Sequence, residues 1–443
     1  MPDAPLFIRQ GVAPDSVVIR GARVLDPVEG IDTVMDVRVD GGVIAELGER
    51  ISAIGHREVD GAGKVLAPAF VDPHVHLRVP GREDEETVAS GSAAAAAGGY
   101  CAILAMPNTD PVVDSAAVLG ALVEQALQDA VIHVGFMASI TKGLNGDELA
   151  EMAELAATGA AAFTDDGRPV VSAGMMRRAL QYAAITGRRL ALHEEEPTLS
   201  GKGQMHEGAV SAELGFAGWP SIGESVMIAR DLALCAYEGQ TVHLMHMSAK
   251  ESVDELRRWQ ALGVAATGEA SPHHLVLTDE AVRSLDSNMK MNPPLRAEAD
   301  RQSLIEALRD GTITSVATDH APHARHEKEA PFEEAPFGVT GLETAFAALY
   351  THLVLPGIIP FELLLERMCQ GPARALGLAV PRIAVGAPAN LTLLDLGARW
   401  TVTEDGFKSK SVNSWLLGAT LQGRPVLTVA AGRVAHDIAS VPA

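Results

Sequence analysis

Two hydrophobic periods divide this chain. From Ser16 to about Val65, β-branched residues come in short runs broken by Gly and Asp, as in 17–25 and again in 36–44. Such runs predict short strands joined by hairpin turns. The same texture returns near the other end, in 390–395 and 426–434. Short β pieces seldom stand alone, so the two ends are expected to pair into one small β-domain.

Between them the pattern changes to strand, loop and helix, repeated. Apolar strand candidates are 68–75, 100–105, 131–138, 160–164, 189–193, 240–246, 263–268 and 313–318. Helical stretches follow most of them, at 86–97, 115–130, 173–186, 223–236 and 248–262. Eight alternating units predict an α/β fold, a (β/α)8 TIM-like barrel with its active site at the carboxyl ends of the strands. An open doubly wound sheet would need a glycine-rich phosphate turn after its first strand. That position holds His74-Val75-His76 instead. The expected division is 1–66 and 379–443 for the two parts of the β-domain, and 67–378 for a metal-dependent hydrolase barrel. The alanine run 93–97 is expected as a helix packed closely on the barrel, and no internal repeat or long linker interrupts the pattern.

The formal charge of −22, from 57 acidic against 35 basic residues, excludes easy binding to phosphate backbones and anionic membranes. An anionic substrate would need a local cluster of Arg, His, Asn and metal to overcome that field. Three scattered cysteines, Cys101, Cys235 and Cys369, argue against a disulfide framework and for a reducing cytoplasm. Neither a signal-like N-terminus nor an apolar run of membrane-spanning length is present. A soluble cytoplasmic protein is therefore expected.

Candidate chemistry stands where a barrel would put it. Side chains two apart on a strand share a face, so His74, His76 and Arg78 should project together. Asp165-Asp166 closes the fourth strand, His193 the fifth, His246 the sixth and Asp319 the eighth. Four imidazoles and two carboxylates from five strands suit two zinc ions, each needing four to five N or O donors. His243 and His246, three apart, cannot share a strand face, so His246 is taken as a ligand and His243 as a packed or supporting ring. Asp165 and Asp166 also point apart; Asp166 is favoured as the bridge, with the other capping the loop. His273-His274 should organise a loop, and His206 and His326 lie in loops where solvated histidines are commonplace.

The strings His74-Val75-His76-Leu77-Arg78-Val79-Pro80-Gly81, Met106-Pro107-Asn108-Thr109, Phe163-Thr164-Asp165-Asp166-Gly167, Met291-Asn292-Pro293-Pro294-Leu295-Arg296 and Ala317-Thr318-Asp319-His320-Ala321-Pro322-His323 resemble dihydroorotases of the amidohydrolase superfamily, in their class I form. The resemblance implies zinc-dependent reversible hydrolysis of dihydroorotate to carbamoyl aspartate, a step of pyrimidine (UMP) biosynthesis. It implies His74, His76 and Asp319 on one Zn2+, His193 and His246 on the other, and Asp166 bridging both. Many superfamily members bridge with a carboxylated lysine at the end of strand 4, where 160–166 contains none. Zinc can lower the pKa of water from 15.7 to about 7 and polarise a carbonyl, and Asp319 is the expected catalytic acid/base. Arg78, Asn108 and His323 are expected at the substrate carboxylate, Asn292 and the Phe337-Gly338 backbone at the ring amides, and His76 among the substrate contacts. Arg78 has an alternative, a salt bridge with Glu83, Asp84 or Glu85. The Pro- and His-rich loop 322–338 is expected to close over the site. A homodimer, with possible partnership with aspartate carbamoyltransferase, completes the expectation; hydantoinase-like catalysis and a metal-free scaffold are the rivals.

Overall fold

The computed structural model describes residues 4–440. Eight parallel strands run Phe70–Val75, Tyr100–Ala105, His133–Ala138, Ala160–Phe163, Leu190–Leu192, Val242–Leu244, Ala266–Ala270 and Ser315–Val316, each paired with the next in that order. A parallel bridge from Val75 to His320, just beyond the eighth strand, brings the sheet back to the first. The result is the (β/α)8 TIM-like barrel that the strand period predicts.

Every strand candidate is present, but several are shorter than their apolar run. The first ends at Val75, so His76 and Arg78 lie beyond it and strand alternation does not orient them. The seventh runs on to Ala270, two residues past the expected end, and takes in Glu269. Phe70, Ile103, Phe136, Phe163 and Leu244 are buried in one continuous core shared with the surrounding helices. The helix Val88–Ala97 opens with a capping box between Thr87 and Ser90, and Ala94, Ala95 and Ala96 are buried where the chain passes close to its neighbours. Small side chains allow that approach, as the alanine run suggests.

Both ends of the chain contribute to a second, largely antiparallel sheet. Its order is Arg433–Asp437, Thr420–Ala430, Leu391–Thr401, Val65–Pro68, Val17–Asp26, Ile31–Asp40 and Val43–Gly48, with Arg57–Asp60 also on Val17–Asp26. Ile19, Val24, Val37, Ile44, Leu66, Leu393 and Leu427 form its own buried core. The strand Val65–Pro68 leads over Ala69 directly into the first barrel strand, so the division drawn at 66/67 falls inside a strand. The first described residues depart from the sheet altogether. Phe7 exchanges backbone hydrogen bonds with Val134 at 2.8 and 2.7 Å, and Arg9 N–H reaches Ala130 O, so this segment lies against the barrel. Among the described residues no helix is long and apolar enough to cross a membrane.

At Gly371 a helix comes close to the barrel backbone. A Cβ there would stand 1.9 Å from the Thr314 carbonyl oxygen. Backbone cannot yield as a side-chain tip can, so Gly371→Ala should destabilise the fold by about 1–3 kcal/mol. A lowered thermal midpoint is the expected result; an unchanged one would mean that the helix Gln370–Leu376 slides freely.

Candidate active site

Six side chains from five strand ends meet at one mouth of the barrel. Asp166 stands at the centre. Its Oδ1 faces His74 Nε2 at 3.7 Å, His193 Nδ1 at 3.5 Å and His246 Nε2 at 3.6 Å. Its Oδ2 faces His76 Nε2 at 3.5 Å and accepts a hydrogen bond from Asn108 Nδ2 at 3.0 Å. Asp319 Oδ1 lies 3.2 Å from His76 Nε2 and 3.4 Å from His74 Nε2. His193 Nδ1 and His246 Nε2 are 2.9 Å apart. All six residues are buried.

The donor set fits divalent metal. Two ligands each about 2.0–2.2 Å from one ion stand roughly 3–3.5 Å apart, which is the spacing found here. His74 Nε2 is buried without a hydrogen-bond partner. His74, His76 and Asp319 offer ligand atoms within 4.8 Å of one another, and so do His74, Asp166 and His246. The electrostatics agree. Burial opposes charge on the His74 ring, but Asp319, Asp166 and Glu269 outweigh it and raise its pKa to about 10. Burial likewise opposes charging of His193, and Asp166 and Glu195 lift it to about 10. The site therefore draws positive charge, as proton or as cation.

A surrounding layer aims these rings. Glu269 bonds His74 Nδ1 at 2.8 Å and His243 Nε2 at 2.9 Å, and accepts the His246 N–H at 3.1 Å. Glu195 holds His193 Nε2 at 3.0 Å, leaving Nδ1 for the centre. Such carboxylate–imidazole pairs fix the tautomer and the ring's direction. Sequence reasoning missed both acids. Glu195 sits in the acidic run Glu194–Glu196 just after the fifth strand, and Glu269 lies past the expected end of its strand. An acid within the apolar strand Ala266–Ala270 was the available signal for the latter. His243 is thus a supporting ring, and Asp165 accepts Ile140 N–H at 2.7 Å and Thr141 N–H at 3.0 Å, capping the loop.

Above the centre opens a cleft of about 150 Å3, lined by His76, Arg78, Asn108, Asn292, Phe337 and Gly338 beside the acids and imidazoles. Gly338 has φ of 120°, and a Cβ there would meet Ala321 Cβ at 2.6 Å, so glycine alone fits. Arg78 lines the cleft and also makes the alternative salt bridge, pairing through Nε with Glu85 at 3.1 Å. His323 stands one step back, its Nε2 3.2 Å from the Arg78 guanidinium and 2.8 Å from Phe337 O, in an adjoining recess. His206 departs from expectation: it is buried in the two-residue strand Met205–His206, against Arg296 at 3.4 Å. His326 is exposed. His273 and His274 lie in the helix Pro272–Val276, where His274 Nε2 reaches Pro293 O at 2.9 Å beside Asn292.

This barrel, with paired imidazoles at the end of its first strand, single ones after the fifth and sixth, and acids after the fourth and eighth, defines an amidohydrolase. Comparison with known proteins narrows the class. Residues 63–252 match the family described as dihydro-orotase-like. The dihydroorotase of Anaeromyxobacter sp. (strain K) is 45% identical over 426 residues, 96% of this chain and 98% of its own. That of Trichlorobacter lovleyi is 42% identical over 95% of this chain and 99% of its own. Among solved structures, the L-hydantoinase (dihydropyrimidinase) from Arthrobacter aurescens aligns with a TM-score of 0.85 at 26% identity, covering 97% of this chain and 98% of its own. The D-hydantoinase from Thermus sp., at 23% identity with a TM-score of 0.83 and 95% of both chains covered, shares the fold. The chain belongs to the dihydroorotase family and is a cyclic amide hydrolase.

The loop 322–338 is clamped against the cleft by two buried lysines. Lys290 Nζ donates to the carbonyls of Phe332, Glu333 and Ala335 at 2.7, 3.1 and 2.7 Å, and Lys328 Nζ to those of Pro336 and Gly338, both at 3.0 Å. Burial, then the like charge of Lys290, pushes Lys328 from 10.5 down to about 7, against the pull of Asp286 and Glu327. The unfolded chain therefore binds more protons between about pH 7 and 10.5, and this lysine's contribution to stability rises with pH across that window. Urea unfolding of the protein and of Lys328→Met at several pH values should show stability climbing more steeply in the parent; equal slopes would contradict this.

Proposed function

We propose that this chain is a class I dihydroorotase that uses two zinc ions to interconvert (S)-dihydroorotate and N-carbamoyl-L-aspartate in pyrimidine (UMP) biosynthesis. The observation that carries this reading is the similarity to dihydroorotases along nearly the whole chain, at 42–45% identity. The hydantoinases, though alike in fold, are more distant in sequence. Arg78, Asn108 and Asn292 facing one cleft with the acids give support from geometry.

In this mechanism His74, His76 and Asp319 would hold one ion and His193 and His246 the other, with Asp166 placed among them to serve both. When bound, zinc activates water and draws charge from the amide oxygen. Asp319 borders the cleft at 3.2 Å from His76. It takes the proton of the attacking water and returns it to the departing ring nitrogen. In the synthetic direction the same carboxylate removes the ureido proton. Arg78, with Asn108 and His323 beside it, receives the substrate carboxylate, and the planar guanidinium suits that group. Asn292, whose Oδ1 is buried without a partner, and the backbone at Phe337 and Gly338 meet the ring amides.

The organisation proposed with it is a hydrolase barrel of 67–378 flanked by a β-domain from 1–66 and 379–443, acting in the cytoplasm as a homodimer, with aspartate carbamoyltransferase as a candidate partner. Three free, buried cysteines accord with a reducing compartment.

One assay with dihydroorotate, hydantoin and allantoin tests the activity. Dihydroorotate should be turned over fastest, and a preference for hydantoin would overturn the assignment. Asp319→Ala removes a ligand and the proton carrier together, so turnover should fall by about 10³-fold or more. Activity above a few per cent of the parent would refute the role given to Asp319.

A further inference from the structure

A second cavity, of about 480 Å3, lies between the barrel and the terminal sheet and shares no lining residue with the catalytic cleft. Its volume is that of a small-molecule site. Trp400 and Phe407 give it aromatic walls, and Lys408, Arg424, His436 and Glu343 bring polar groups to it.

Among the lining residues, His436 has a buried nitrogen without a partner, while Lys408 and Asp405 stand on the exposed rim. The Arg424 guanidinium lies 4.8 Å from the Trp400 ring centroid, over the indole. Beyond that stacking it makes no hydrogen bond or ion pair among the described residues, and Glu343 acts on it only through space. His436 Nε2 is buried with no hydrogen-bond partner. Lys408 and Arg424 both lie near enough to bear on the His436 ring. Glu343 is already engaged: its carboxylate accepts the Lys408 N–H at 2.9 Å and the Ser409 N–H at 3.1 Å. Trp400 Nε1 donates to Gly423 O at 3.2 Å, which anchors the indole that carries the Arg424 guanidinium.

In a chain with 57 acids for 35 bases, a half-buried arginine has acids in excess from which to take a partner. Arg424 instead faces the cavity beside two other nitrogen bases. A planar guanidinium stacked on an aromatic ring suits recognition of phosphate next to a flat ring. We propose that this cavity is a second, non-catalytic ligand site for an aromatic phosphate of mononucleotide size, its ring held by Trp400 and Phe407 and its phosphate by Arg424, Lys408 and His436.

The test is calorimetric titration of the full chain with AMP, UMP, inorganic phosphate and adenosine, with carbamoyl aspartate present to fill the catalytic cleft. One equivalent of AMP or UMP should bind at least about tenfold more tightly than phosphate or adenosine. Which of the two binds more tightly distinguishes a purine from a pyrimidine occupant. Arg424→Met should weaken that binding about tenfold or more while leaving the thermal midpoint unchanged. Trp400→Phe should abolish the accompanying change in tryptophan fluorescence. If Arg424→Met does not fold, Lys408→Met, on the exposed rim, replaces it with the same expected loss. Absence of binding by every probe at about 10 mM, binding that carbamoyl aspartate displaces, or binding indifferent to these substitutions would overturn the proposal.

Discussion

Asp166, Asp319 and Glu269 are carboxylates buried together at the mouth of one barrel, and the rest of the site answers to that fact. Buried charge of one sign is expensive unless opposite charge and hydrogen bonds offset it. Asp166 alone faces four imidazoles at 3.5–3.7 Å and accepts from Asn108. The histidines bring facing nitrogens to it, and the donor set as a whole is compatible with an added cation. Arg78 lines the same cleft and sets a positive charge beside these acids, within a chain whose overall charge is −22.

The terminal sheet is tied into this arrangement by the segment that leaves it. Asn413 accepts the His323 N–H at 3.1 Å and donates to the carbonyls of Ala321 and Gly338 at 3.1 and 3.3 Å. Ser411 Oγ donates to Glu85 O at 2.8 Å, and the neighbouring Ser409 to Glu86. Glu85 pairs with Arg78, and Glu86 lies 3.3 Å from His320, next to Asp319. Residues near the chain's end therefore brace the wall of a cleft whose acids and imidazoles come from the barrel. That is a physical reason for two remote ends to fold around the barrel rather than trail from it.

Most of this was legible in residue order. Eight apolar runs carry the barrel because buried parallel strands must be apolar on both faces. The six residues of the centre were legible because only strand ends gather distant residues at one mouth. What escaped was set by distances no spacing encodes. Glu195 is two residues from His193, and its bond to that ring depends on how the chain leaves the strand. Lys290 and Lys328 are both buried because backbone carbonyls of 332–338 replace water around their ammonium groups, which nothing in the spacing of the sequence signals. The buried His206 was obscured in the same way, by an arginine ninety positions distant in sequence.

The backbone itself does part of the aiming, at the points where strand alternation gives out. Arg78, His246 and Asp319 have φ of 59°, 31° and 49°, a left-handed conformation that costs a residue with a side chain about 1–3 kcal/mol. His243 and His246 are three apart and could not share a face of one strand. The sixth strand stops at Leu244, and the turn at His246 sends its ring to His193 at 2.9 Å while His243 stays on Glu269. Arg78 turns likewise after the first strand ends at Val75, which carries its guanidinium to Glu85 and Pro322 O. Asp319 does so after the eighth, bringing its carboxylate between His74 and His76. Strain at these three positions is sustained because each side chain, once turned inward, joins a network too heavily bonded to let it swing back.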